Sequence, residues 1–104
     1  MFDEFMEELH NVKNQIVELY SPFKIILFGS LAKQRIKETS DIDLCIITKT
    51  ENKRKLIADM YLKIDSKYPV DIIVYTMDEY LKYKDEKLSF LYKILNEGKT
   101  IYGW

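Results

Sequence analysis

Lys24-Ile25-Ile26-Leu27-Phe28-Gly29-Ser30, ten residues, then Asp41-Ile42-Asp43-Leu44-Cys45-Ile46-Ile47-Thr48: the fold of this chain turns on that stretch. Its first run is apolar, rich in β-branched residues and halted by Gly29-Ser30, which predicts a short buried strand and then a turn. The run from Asp41 to Thr48 predicts a second strand. Residues two apart in a strand share a face, so Asp41 and Asp43 project together while Ile42 and Leu44 point into apolar packing. The intervening residues 31–39 are polar, carry Lys33, Arg35 and Lys37, and predict a short helix and a loop.

Outward from that stretch the periodicity changes. Phe2, Phe5, Met6, Leu9, Val12, Ile16 and Leu19 recur every three or four residues, with Asp3, Glu4, Glu7, Glu8 and Lys13 between them. This predicts an amphipathic helix, stopped at Ser21-Pro22 because proline disfavours helix at the residue before it. Helical spacing returns at Leu56, Ile57, Met60, Tyr61 and Ile64, and Pro69 precedes a third predicted strand, Val70 to Tyr75. Thr76-Met77-Asp78-Glu79 has the form of a capping box. Phe90, Leu91, Ile94 and Leu95 mark a last helix, with Gly98 placed to close it in a left-handed conformation. The order α-β-α-β-α-β-α-α predicts an α/β fold in which four to five helices flank a small three-stranded mixed sheet.

Composition sets the frame. With 104 residues the chain has room for one core, so residues 1–104 are read as a single domain. Sixteen Lys+Arg against seventeen Asp+Glu leave a net charge of −1, without the basic excess of a non-specific nucleic-acid binder. A single cysteine, Cys45, excludes an internal disulfide and a cysteine-cluster zinc site. No apolar stretch nears the ~20 residues that span a bilayer, and Met1-Phe2-Asp3-Glu4 is acidic where a signal peptide is basic. A cytoplasmic protein that stays off the membrane is the expectation.

Three carboxylates sit where packing alone would not put them. Asp71 opens the third strand, with Val70, Ile72 and Val74 alternating away from it. If the second and third strands are neighbours, Asp41, Asp43 and Asp71 converge at one sheet edge. Two like charges 4 Å apart repel by about 4 kcal/mol at an effective dielectric near 20, a large share of the stability of a small domain. Protonation relieves this, and so does a divalent cation. Hard oxygen donors suit Mg²⁺, which shares its coordination with substrate phosphates. Gly29 and Ser30 supply the complementary half: glycine lets the backbone turn sharply against a ligand, and a helix starting there aims N–H groups at an anion. Taken singly, Asp-x-Asp and Gly-Ser are ordinary strand and turn chemistry. Together they describe a phosphate cradle facing a metal site.

Gly-Ser, ten residues, Asp-Ile-Asp-Leu and a later strand aspartate resemble the nucleotidyltransferase superfamily that includes DNA polymerase beta. The resemblance is closest to the minimal nucleotidyltransferase (MNT) branch, whose members pair with HEPN-domain proteins in toxin–antitoxin modules. The tail from Phe90 to Tyr102 is similar to the closing helix and extended end of MNT antitoxins. The resemblance implies that Asp41 and Asp43 bind two Mg²⁺ ions and that Asp71 completes the site as general base. It implies nucleotide contacts from Gly29, Ser30, Lys33 and Ser40. It further implies AMP transfer from ATP to a tyrosine of a HEPN RNase toxin, which silences that partner. After Gly-Ser the family pattern carries an arginine, a second basic residue and a glycine; here Lys33 keeps the second charge, while Leu31 and Gln34 depart from the other two. Relatives that act on polynucleotides or antibiotics carry further domains to grip the acceptor, so here the acceptor is expected on another chain. Two alternatives stand beside this reading: an antitoxin that neutralises its partner by occlusion, and a nucleotidyltransferase acting on RNA or a small molecule.

Other conspicuous residues are assigned to structure. His10 lies among acidic residues on the first helix and is expected to face solvent. Cys45 is expected in or beneath the face that carries Asp41 and Asp43, as a small core residue. Lys49, Lys53, Arg54 and Lys55 form a basic cluster at a helix start, read as a solvated face or as a contact to an acidic partner or the triphosphate. Tyr80, Tyr83, Tyr92 and Tyr102 crowd the last quarter and fit core packing or a partner surface equally well.

Overall fold

The structure is a computed structural model that describes residues 2–29 and 41–104. The short helix and loop expected over 31–39 therefore lie outside the described residues. Helix α1 (Phe2–Tyr20) leads into β1 (Lys24–Phe28), β2 (Ile42–Ile47), α2 (Lys53–Lys63), β3 (Val70–Tyr75), α3 (Met77–Tyr83), α4 (Phe90–Glu97) and β4 (Lys99–Gly103). The strands form one mixed sheet in the order β3-β2-β1-β4, with β2 and β3 parallel and β1 antiparallel to both β2 and β4.

The α/β architecture is the one expected, but the sheet has four strands among the described residues where three were anticipated. The fourth is β4, whose Lys99-Thr100-Ile101-Tyr102-Gly103 lacks a clean apolar alternation and pairs with β1 across a register irregularity at Ile25/Ile26. Gly98 also departs from expectation. Its φ of −87° and ψ of 178° are extended rather than left-handed. Glycine is required there for proximity, because a Cβ would lie 2.5 Å from the Ile94 carbonyl oxygen and 2.8 Å from that of Leu27. The chain leaves α4 by pressing directly against β1.

Alternation along the strands sorts the core into two layers. Ile25, Leu27, Ile42, Leu44, Ile46, Ile72 and Val74 face α1 and α2, meeting Phe5, Leu9, Val12, Ile16 and Met60. Ile26, Cys45 and Ile47 face the other way, beneath Leu91 and Ile94 of α4. Of the apolar positions expected on α1, Phe5, Leu9, Val12 and Ile16 are buried, whereas Met6 and Leu19 are exposed. Helix α1 ends at Tyr20, and Ser21 takes a left-handed φ of 46° before Pro22.

Polar side chains fix the elements that deliver the sheet edge. Gln15 bridges Asp65, donating to its carbonyl and accepting from its N–H. The buried Glu8 carboxylate accepts from the Lys67 N–H, and Phe5 stacks on Tyr68 at 4.3 Å between ring centroids. The segment entering β3 is thus held against α1 at three points. The Ile72 N–H, on the outer edge of β3, donates to the Tyr61 hydroxyl at 2.9 Å. Thr76 and Glu79 form the expected capping box, and Lys53 Nζ reaches both Glu79 oxygens at 2.8 and 3.0 Å. No helix among the described residues is long and apolar enough to cross a membrane.

Candidate active site

Strand direction assembles the site. Because β2 and β3 run parallel, both begin at the same edge of the sheet, and β1, antiparallel to β2, ends there. The register sets Asp43 opposite Asp71 on one side and opposite Phe28 on the other. All three side chains project to the face that carries Cys45 and Ile47 deeper in, the face that α4 covers. Asp41 immediately precedes β2 and is half-buried. The sheet thus brings Asp43 and Asp71 side by side, with Asp41 two residues from Asp43.

The electrostatics of this edge are unusual. Burial pushes the Asp43 carboxyl up to about 6, assisted by the negative charge of Asp71, a hydrogen bond to Asp71, and the charge of Asp41. Holding a proton is one of two ways to relieve like charges at close range. The other is a cation. Among the described residues, no group of three or more His, Cys, Asp or Glu side chains is placed to hold a metal ion, so the expected convergence of Asp41, Asp43 and Asp71 does not make a three-ligand site. Two adjoining carboxylates with a third nearby are instead an open, all-oxygen donor set. That fits Mg²⁺, which takes one or two protein carboxylates and leaves its other positions to water and substrate phosphates.

Gly29 completes the edge. Its φ of 76° lies in the left-handed region, and a Cβ there would lie 2.1 Å from Asp43 Oδ2. Glycine takes this conformation without strain and lets the chain leaving β1 turn directly over the Asp43 carboxyl. Ser30, Lys33 and Ser40, the other expected nucleotide contacts, lie outside the described residues, as do Leu31 and Gln34. Cys45 is fully buried, and desolvation pushes its thiol up to about 12, so it stays protonated and inert. His10 is exposed beside Lys13. Lys53 of the basic cluster is paired to Glu79. Tyr80 and Tyr83 pack on the core under α4, and Tyr102 on the core under α1.

Beside Gly29 lies a cavity of about 210 Å³ lined by Phe28, Phe90, Lys93 and Ile94 among others. The sequence put Phe28 in a buried strand and Phe90 on the last helix, with no cavity expected between them. Phe90 is 51% exposed, its ring edge-on to Phe28 with centroids 6.2 Å apart. The available signal was position: Phe90 directly follows the Ser89 cap, at the open end of α4.

The sheet therefore sets paired aspartates of two parallel strands beside a strand–glycine turn, and comparison with known proteins gives the family. Residues 10–103 match the family described as polymerase beta, nucleotidyltransferase, and the chain belongs to that family. It is 37% identical over 79 residues to a protein of Methanocaldococcus jannaschii named "Putative protein adenylyltransferase MJ0604", an alignment covering 76% of this chain and 77% of that one. No solved structure gives a significant match.

Proposed function

We propose that this protein is a Mg²⁺-dependent adenylyltransferase that moves AMP from ATP to a tyrosine of a HEPN-family RNase toxin, neutralising it as the antitoxin of the pair. The observation that carries the reading is the pairing of Asp43 with Asp71 at the sheet edge, under a left-handed glycine turn that lies directly against Asp43. Membership of the nucleotidyltransferase family supports the reaction class, and the relative's name supports a protein acceptor and the adenylyl group.

Asp43 and Asp71 would hold the metal, with Asp41 two residues from Asp43. Bound there, Mg²⁺ neutralises phosphate charge and stabilises the entering and leaving oxygens of an in-line displacement. The chain's own groups do the rest. Gly29, with Ser30, Lys33 and Ser40, holds the triphosphate so that the α-phosphorus faces the acceptor. The acceptor oxygen forms a bond to that phosphorus as the bond to pyrophosphate breaks. Asp71, the most exposed of the three carboxylates, takes the hydroxyl proton.

The test is to incubate the protein with ATP, Mg²⁺ and the product of the neighbouring gene, and to weigh that product intact. A mass gain of one or more AMP groups is expected, abolished by Asp41→Asn with Asp43→Asn while the two proteins still associate. An active, unmodified partner would overturn the transfer. Neutralisation that survives the double substitution would assign the effect to occlusion instead.

A further inference from the structure

The cavity beside Gly29 has no part in the carboxylate chemistry, yet it is continuous with it. Gly29 lines this cavity and also lies against Asp43 Oδ2, so a phosphate held at Asp43 is one residue from its mouth. Its walls are the rings of Phe28 and Phe90, with Ile94, buried in the core under α4, behind them. Lys93 stands three residues from Phe90 on α4, hence on the same helix face.

We propose that this cavity holds the base of the nucleotide, stacked on Phe90. The inference rests on the nucleotidyltransferase reading and adds to it where the nucleoside end lies. Size is the first argument. At about 210 Å³ the space falls below the roughly 300–1,000 Å³ of pockets that enclose a whole ligand, so it suits one ring system. Chemistry is the second. A half-exposed phenylalanine at a helix start costs apolar surface in water, and every base offers a π-face to cover it. Covalent connection is the third: the base is tied through its ribose to the α-phosphate, which must sit at Asp43 and Asp71. Lys93 and Glu97 line the same cavity and supply polar groups beside the rings.

Calorimetric titration with ATP–Mg²⁺ and, separately, with inorganic tripolyphosphate–Mg²⁺ tests this on the wild-type chain, Phe90→Ala and Phe90→Leu. Leucine keeps the apolar bulk and the helix but removes the flat ring. Stacking is worth enough that Phe90→Ala should weaken ATP about tenfold and Phe90→Leu by several-fold, with tripolyphosphate unchanged in both. Equal loss for the two ligands, or unchanged ATP affinity as an acceptor ring in the cavity would give, overturns the base site alone. Failure of the wild-type chain to bind ATP–Mg²⁺ at all overturns the nucleotidyltransferase reading and this inference with it.

Discussion

Asp43 is the residue at which fold and chemistry conflict most directly. Its carboxyl protonates at about 6 in the fold against 3.8 for an unperturbed group, because burial and two neighbouring aspartates disfavour its charge. Between these values the native state holds more proton than the unfolded chain, so metal-free stability falls as pH rises from about 4 to about 6. Asp43 is partly exposed, and after discounting for screening by water the effect is on the order of 1 kcal/mol. Urea unfolding in EDTA across that range should show the decline, and Asp43→Asn should flatten it; a native slope that persists in the variant would place its origin elsewhere. Gly29 makes a second residue-scale prediction. A left-handed L-residue costs about 1–2 kcal/mol, and the added Cβ would overlap Asp43 Oδ2. Gly29→Ala should lower the urea midpoint accordingly and displace Asp43, whereas an unchanged midpoint would show that the turn tolerates a side chain.

At the scale of elements, the capping box of α3 does more than start a helix. Glu79 satisfies the Thr76 N–H and anchors Lys53 at the first turn of α2, so one carboxylate ties together two helices that follow neighbouring strands. Glu79→Ala should cost about 1–2 kcal/mol, more than an exposed ion pair alone would account for, as read from chemical denaturation. A cost below about 0.5 kcal/mol would mean the cap and the ion pair act only at the surface. Most elements were legible from the chain: three strands from apolar runs, α1 from its period, α3 from Thr76-x-x-Glu79. The fourth strand was not. Lys99–Gly103 is stabilised by pairing with β1, a contact between segments distant in sequence, and its own pattern is too mixed to announce it. Gly98 misled for a related reason. A glycine after a helix ordinarily signals a left-handed cap, but here the constraint is the approach of β1, which only the tertiary structure supplies.

For the whole molecule, the sheet order converts three separated sequence signals into one site. Placing β2 between β1 and β3 sets Asp43 against Asp71 on one side and under Gly29 on the other. The strand pattern set Asp43 on the face opposite Ile42 and Leu44, because period-two alternation is local. It could not foretell the open cavity between Phe28 and Phe90, since an aromatic residue near a helix start reads as core until the packing shows otherwise. A rival acidic surface exists at the start of α1, where Glu4, Glu7 and Glu8 line a separate cavity with Lys67 and Tyr68. It supplies the contrast for the decisive measurement: paramagnetic broadening of amide NMR signals by Mn²⁺, standing in for Mg²⁺, with ATP present. The account predicts selective broadening at residues 41–44 and 70–72 that Asp43→Asn abolishes. Broadening confined to the Glu4–Glu8 end of α1, or no localised broadening, would contradict it.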